Sequence, residues 1–455
     1  MTVYSNVLEM IGNTPMVELR RMDSGRCRLF AKLEQCNPGG SIKDRIGLAM
    51  IEAAEREGRI RPGGTLVEAT AGNTGLGLAL VALQKGYRLL LVIPDKMSQE
   101  KIFHLKAMGA QIVMTRSDVA KGHPEYYQDL AQRLASGMDN AFYVNQFANP
   151  ANPRAHEEGT APEIWEQMGH RLDAVVCGVG TGGTLTGIGR YFRRVAPHVQ
   201  MVLADPEGSV LADYLKTGTV KQAGSWLVEG IGEDFVPPIC DLSLVSAAYT
   251  ISDAEAFATA RELLRREGIM GGSSSGVLVA AALRYCRSQT EAKRVVTLIP
   301  DSGNKYLSKM YNDYWLADQG FIEREKTGDL RDLIGRRHVD HATIVIGPEE
   351  SLLTAYGRMK LYDVQQLPVM EDDHIVGLID ESDILLAVYG HEDRFKGPVR
   401  EAMSTNLQTL PPSAPLEALL PVFDQGHVAI VMDGGQFLGL ITRYDLLNYL
   451  RRRLK

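Results

Sequence analysis

The chain has 455 residues, 45% hydrophobic and 23% charged, a globular composition with length for two or three domains. Lys+Arg 49 against Asp+Glu 56 leaves a formal net charge of -7 with no basic tail, which argues against a nucleic-acid partner. There is no signal-peptide or bilayer-spanning run, and the five scattered cysteines lack a C-x-x-C pair, so a cytoplasmic protein without disulfides, structural metal or membrane attachment is expected.

In chain order, the first informative stretch is CNPGGSIKDRIGLAM, residues 36–50. Ser41 stands at an N-cap with Asp44 three residues on, and Ile42, Ile46, Ala49, Met50 and Ala53 recur at helical spacing. Lys43 then faces the positive end of the helix dipole. A surface lysine tolerates that position at a cost below about 1 kcal/mol. A functional one gains from it, because a lowered pKa makes the amine a nucleophile able to form a Schiff base. Gly39, Gly40 and Gly47 leave room for a ligand.

Next, EATAGNTGLGLAL (68–80) takes a strand at 64–69 into a helix at 75–87. Its small residues open backbone N–H groups to a ligand, and Thr70, Asn73 and Thr74 add side-chain donors. This is an anion site at a helix start, or a plain Asn-Thr cap. Buried strands are predicted at 89–94, 110–115, 173–180, 199–206 and 294–300, with another helix over 255–268. The alternation points to an α/β domain with a mostly parallel sheet. CGVGTGGTLTGIGR (177–190) joins one such strand to a helix. Gly178, Gly180 and Gly183 with Asp205 satisfy a dinucleotide fingerprint, and the same glycines fit a phosphate cup equally well. GIMGGSSSGVLVAAAL (268–283) is a capped helix, or a serine placed to meet a ring nitrogen.

Residues 318–337 are polar and charged and read as a linker. Beyond it VMEDDHIVGLIDESDILL (369–386) aligns without gaps to VMDGGQFLGLITRYDLLN (431–448), matching Gly377 to Gly439 and Asp383 to Asp445. Each copy reads strand, turn, strand, helix. Two copies are too few for a solenoid and should pack as one small α+β domain. The expected division is 1–317, a linker at 318–337, and 338–455 with repeats near 338–392 and 397–453.

GGSIKDR, AGNTG, GTGGT and GGSSSG occur in that order, with IGNTP (11–15), NPANPRAH (149–156) and EGIGEDFVP (229–237). Together they resemble the fold-type II pyridoxal-phosphate enzymes of the cysteine synthase and cystathionine β-synthase group, over roughly residues 5–315. The C-terminal repeat resembles the paired regulatory motifs of that group, the Bateman module. The resemblance implies two α/β subdomains around pyridoxal 5′-phosphate. Lys43 would hold the cofactor as a Schiff base and act as the catalytic base. Asn73 would meet the 3′ oxygen, Gly180, Thr181, Gly182, Gly183 and Thr184 the phosphate, and Ser273 the ring nitrogen. Thr70, Ala71, Gly72, Thr74, Gln146 and Gly230 would bind the amino-acid substrate. A serine at the ring nitrogen makes a weaker electron sink, which suits replacement at Cβ.

The implied reaction condenses L-serine with L-homocysteine to L-cystathionine, a transsulfuration step of cysteine biosynthesis. O-acetylserine as donor and sulfide as acceptor are the alternatives. Ala71, Phe147 and Glu233 stand where the animal members usually have Ser, Tyr and Tyr. No haem is expected. Thr442 and Asp445, with Asp380 and Asp383 as a weaker counterpart, resemble the ribose-binding motif for an adenosyl ligand. A homodimer or higher homo-oligomer is expected by analogy. A nicotinamide oxidoreductase using Gly178–Gly183, and a nucleotide sensor on an inactive scaffold, are the competing classes.

Overall fold

The structure is a computed structural model describing residues 3–452 except 71, 96–98, 120–121 and 323–326. Ala71 and part of the expected linker therefore lie outside the described residues. The chain divides into two compact units, Met1–Tyr311 and Asn312–Lys455.

The first unit holds two sheets. Its strands are β1 (Met16–Glu18), β2 (Arg28–Lys32), β3 (Thr65–Ala69), β4 (Arg88–Pro94), β5 (Gln111–Thr115), β6 (Ala141–Tyr143), β7 (Ala174–Gly178), β8 (Gln200–Pro206), β9 (Val245–Ile251) and β10 (Arg294–Leu298). One sheet runs β5-β4-β3-β6, all parallel. The other runs β1-β2-β10-β7-β8-β9, parallel except for the β1–β2 pair. Helices cover strands of this kind on both faces, so they read as unbroken apolar runs. All five residues of β3 are buried, for example.

Four helices of this unit position the site: α1 (Lys43–Arg56), α2 (Asn73–Lys85), α3 (Gly183–Val195) and α4 (Ser273–Arg287). The start of α1 differs from expectation. Its N-cap is Ile42, and no side chain caps it. Ser41 Oγ accepts the Lys43 amide at 3.2 Å, while the Asp44 carboxylate folds back to accept the Gly39 amide at 2.6 Å. The room at two of the glycines is also filled by the chain itself. A Cβ on Gly39 would strike the Asp44 carboxyl. One on Gly47 would lie 2.9 Å from the Gly77 carbonyl carbon, and one on Gly77 would lie 2.7 Å from the Lys43 carbonyl oxygen. Gly47 and Gly77 thus let α1 and α2 cross backbone to backbone, which sets Lys43 beside the loop that carries Asn73.

A buried ion network anchors the same end of α1. Arg45 donates to Glu34 at 2.7 and 2.8 Å and to Glu163 through two bonds of 2.7 Å. Lys32, fully buried in β2, joins Glu163 at 2.7 Å. Removing one partner of such a network strands a buried charge, at a cost of about 3–5 kcal/mol.

The second unit repeats one motif. β11 (Gln366–Glu371) and β12 (His374–Asp380) form a hairpin followed by α5 (Glu381–Val388). β13 (Thr409–Leu410), β14 (Ala429–Asp433) and β15 (Gln436–Ile441) form the other sheet, followed by α6 (Arg443–Arg452). Each hairpin shifts register at the same place in its copy, Val369/Met370 and Val431/Met432. A bulge at equivalent residues marks the two hairpins as one design used twice.

Candidate active site

A cavity of about 250 Å³ opens where loops leave the carboxyl ends of strands in both sheets of the first unit. It is lined after β3 by Thr70, Gly72, Asn73 and Thr74, after β6 by Gln146 and Phe147, and at the end of β7 and beyond by Gly178, Gly180, Thr181, Gly182 and Thr184. Crevices at strand carboxyl ends are the usual ligand position in open parallel sheets. Lys43 and Gly230 complete the set of predicted residues on its wall. Gly183 and Ser273 are not on the lining; Ser274 is.

Lys43 sits deep in the molecule with its side chain against this cavity. Burial lowers its pKa to about 8, against the pull of Glu233 and Asp301. Glu233 shares the wall. Burial and the neighbouring Asp234 push its carboxyl up to about 8, and Lys43 partly offsets that rise. Among the described residues neither the Lys43 amine nor the Glu233 carboxyl has a hydrogen-bond partner.

The loop after β3 is pre-ordered. The Thr74 hydroxyl donates to Gln146 Oε1 at 2.6 Å, and the Gly72 amide donates to Thr70 Oγ1 at 3.1 Å. A Cβ on Gly72 would meet only Thr70, and one on Gly230 would meet nothing within 4 Å, so both face open space. Beneath the loop, Glu68 is buried at the end of β3 and accepts the amides of Ala69 and Gln146 at 2.8 and 3.1 Å. Burial still raises its pKa to about 7.

The glycine loop before α3 needs glycine for reasons that differ by residue. Gly182 has φ +88°, and a Cβ there would overlap Cys240 Cβ and approach its Cα at 2.8 Å. A Cβ on Gly180 would lie 2.6 Å from the Gly230 carbonyl oxygen, and one on Gly183 would overlap the Asn152 amide. Asn152 itself donates to Thr181 Oγ1 at 3.0 Å and to the Gln146 carbonyl at 2.8 Å. His156 bonds Thr184 at 3.2 Å through Nε2 and Thr160 at 2.9 Å through Nδ1. Burial and the nearby Arg45 and Lys43 cations hold its pKa well below the usual imidazole value, so it is neutral. It opens a π-helical turn, His156–Thr160, a distortion common at functional sites. Sequence reasoning assigned no role to Asn152 or His156, although both fall in the NPANPRAH stretch.

At the start of α4, Ser273 Oγ accepts the Glu229 amide at 2.9 Å and also meets the Tyr306 hydroxyl. Asp205 does not face the cavity. Its carboxylate is fully buried and accepts the Ala212 amide at 2.8 Å. An acid fully buried and off the cavity lining is not offered to a ribose there, which removes the dinucleotide fingerprint's required partner.

In the second unit a larger cavity of about 850 Å³ is lined by both copies, with Asp380, Glu381 and Ser382 from one and Thr442, Arg443, Tyr444 and Asp445 from the other. Arg336 and His427 add basic groups. Asp445 Oδ2 accepts the Thr442 amide and hydroxyl at 2.7 and 2.6 Å. Asp383 is not on the lining; it forms a capping box with Asp380.

The family described as pyridoxal-phosphate dependent enzyme matches residues 7–301, and the CBS domain matches 332–390 and 399–452. The chain is 37% identical over 467 residues to cystathionine beta-synthase of Dictyostelium discoideum, spanning 99% of this chain and 93% of that protein. The chain belongs to the cystathionine β-synthase family of pyridoxal-phosphate-dependent enzymes. It is also 41% identical to cysteine synthase 1 of Emericella nidulans over 70% of this chain and 87% of that one. Among solved structures, a hydrogen sulfide-producing enzyme of Fusobacterium nucleatum superposes with a TM-score of 0.62 at 36% identity, covering 67% of this chain and all of that one.

The residues present fit the family's cofactor. Pyridoxal phosphate needs an amine for its aldehyde and a nest of amides for its phosphate. Lys43 supplies an unpaired amine of lowered pKa on the cavity wall. The glycine loop at the N-terminus of α3 supplies the amides, a position that favours an anion.

Proposed function

We propose that the chain joins L-serine to L-homocysteine by β-replacement, giving L-cystathionine and water. The observation that carries this reading is the Lys43 amine, deep on the wall of a cavity whose other walls present an anion loop and a pre-ordered Thr/Asn/Gln loop. Pyridoxal phosphate, held by Lys43 until the substrate amine takes its place and leaves the Lys43 amine free, would supply the electron sink for the pair released from the substrate Cα–H bond.

The protein's part is positioning and proton handling. Thr70, Gly72, Thr74 and Gln146, with Gly230 and Ala71, hold the substrate carboxylate, and the Thr74 hydroxyl, donated to Gln146 Oε1, turns the Gln146 N–H groups out as donors beforehand. Gly180, Thr181, Gly182, Gly183 and Thr184 hold the phosphate, braced by Asn152 and His156. Asn73 serves the ring oxygen and Ser273 the ring nitrogen, with Ser274 adjoining. With a pKa of about 8, Lys43 exists as both amine and ammonium near neutral pH. The amine takes the α-proton, and the resulting ammonium returns a proton to the departing β-hydroxyl, which leaves as water. The acceptor sulfur then bonds to Cβ, its thiol proton passes to the Lys43 amine, and Lys43 delivers that proton to Cα. Glu233 on the same wall offers a carboxyl to the α-ammonium of an amino-acid thiol, a group that hydrosulfide lacks.

The likeness to cysteine synthase 1, and Phe147 packed 5.7 Å from Phe235 at the cavity wall, favour a second reading with O-acetylserine or hydrosulfide. Turnover with both donors and both acceptors separates the two. Serine with homocysteine should be the most efficient pair, and a hundredfold preference for O-acetylserine with sulfide would refute the first reading. Lys43→Ala should abolish the Schiff-base absorbance and turnover together.

For the second unit we propose an adenosyl ligand on Thr442 and Asp445, with Asp380 on the facing copy and Asp383 supporting it through the capping box. Calorimetry with S-adenosylmethionine, AMP and ATP tests this, and absence of heat with all three refutes it. Cys27, Cys36, Cys177, Cys240 and Cys286 are all free thiols, which suits the cytoplasm, where we place a homodimeric enzyme.

A further inference from the structure

Asn73 carries the side chain read above as the partner of the cofactor's ring oxygen, and the structure gives that side chain two charged neighbours. Lys305 Nζ donates to Asn73 Oδ1 at 2.6 Å, and Asn73 Nδ2 donates to Asp301 Oδ2 at 2.8 Å. The Tyr306 hydroxyl donates to the same Asp301 oxygen at 2.8 Å. Asp301 is fully buried, so its orientation is set by these bonds. Lys305 lies in the short turn Gly303–Tyr306 after β10, and its ammonium also approaches the Gly40 carbonyl at 3.4 Å, just before α1. Asp44 and Lys101 are the other charges felt at this ammonium.

The chemistry of the partners fixes the amide. An ammonium can only donate, so it takes Oδ1; a carboxylate can only accept, so it takes one N–H of Nδ2. The second N–H has no protein partner among the described residues, and Asn73 is on the cavity wall. A cation on the carbonyl end also polarises the amide and strengthens its remaining N–H as a donor. The three residues come from both sheets: Asn73 follows β3 in one, and Asp301 and Lys305 follow β10 in the other.

We infer that Lys305 is a positioning residue of the cofactor site, acting through Asn73 to present one strengthened N–H to an oxyanion on the cofactor ring. The inference rests on the reading of Asn73 given above. A tie through Asn73 predicts a specific failure of additivity.

The test is a double-mutant cycle of Lys305→Met and Asn73→Ala. Two quantities are read: the dissociation constant for pyridoxal phosphate titrated into the apoenzyme, and the pH midpoint of the bound cofactor's visible band. Lys305→Met should weaken cofactor binding about tenfold and shift the midpoint, while Lys305→Arg retains both values. In the Asn73→Ala background, Lys305→Met should cost less than about twofold and leave the midpoint in place. A merely structural lysine would lower the melting temperature of the apoenzyme without moving the midpoint, and that result overturns the inference. Equal losses in the two backgrounds, or none in either, overturn it as well. Should Asn73→Ala alone change neither quantity, the reading of Asn73 falls and the inference with it. Should Lys305→Met fail to fold, Lys305→Gln carries the same cycle.

Discussion

Gly182→Ala isolates what the glycine loop before α3, the proposed phosphate site, requires of the backbone. Gly182 has φ +88°, and an L residue held in left-handed geometry costs about 1–2 kcal/mol. The added Cβ would also overlap Cys240 Cβ and lie 2.8 Å from its Cα. Overpacking of that kind adds about 1–3 kcal/mol. The sum, about 2–5 kcal/mol, falls on the loop proposed to hold the phosphate and corresponds to at least about a 30-fold loss of cofactor affinity. Trimming the neighbour should rescue little. Cys240→Gly removes Cβ and Sγ, but the clash with the main chain of residue 240 and the strain at residue 182 remain, so the double variant should regain less than half of the lost free energy. Titration of the apoenzyme with pyridoxal phosphate, followed by absorbance, gives all three constants. Wild-type affinity in Gly182→Ala, or complete rescue by Cys240→Gly, would refute the argument from backbone geometry.

Three other expectations follow from groups already described. An α-ammonium beside Glu233 would draw its raised pKa back down and ionise the carboxyl, so Glu233→Gln should raise turnover with hydrosulfide relative to homocysteine by about tenfold, the worth of one modest ionic contact; an unchanged ratio in competition assays removes Glu233 from acceptor choice. Glu68, with its pKa raised from 4.5 to about 7, binds more protons folded than unfolded, so rising pH between those values weakens the fold by at most about 3 kcal/mol. Glu68→Gln should therefore gain melting temperature over wild type at pH 8 but not at pH 4, and parallel pH profiles for the two proteins would contradict this. Asp445→Ala should remove the calorimetric heat of any adenosyl ligand in the second unit while leaving basal turnover within twofold, and retained heat would place the ligand elsewhere.

The order of elements was legible because parallel strands buried on both faces must be continuous apolar runs. Such runs as 89–94 and 199–206 become β4 and β8 with ends within a residue or two. The duplication at 369–386 and 431–448 was equally plain, whereas the bulge the two copies share shows only in the strand pairing. The site was legible at the level of which loops converge, since glycine-rich strand-to-helix turns advertise open backbone. Pairings between distant residues were not. Ser41 and Asp44 fit a capping box by spacing, but the turn at Gly39 and Gly40 draws Asp44 backwards instead. Gly47 looked like ligand space, and only the crossing with α2 reveals Gly77 in it. Lys305, 232 positions from Asn73, belongs to no local pattern at all.

Arg45 stands two positions after Lys43, locked between Glu34 and Glu163. That network makes the main chain beside Lys43 one of the most firmly held places in the first unit. A lone change of Arg45 or of either acid leaves an uncompensated buried charge, whereas a coordinated exchange of all partners for well-packed apolar residues need cost nothing. Gradual sequence drift is thereby blocked at a spot where, under the proposed function, a small displacement would be felt directly at the Lys43 amine.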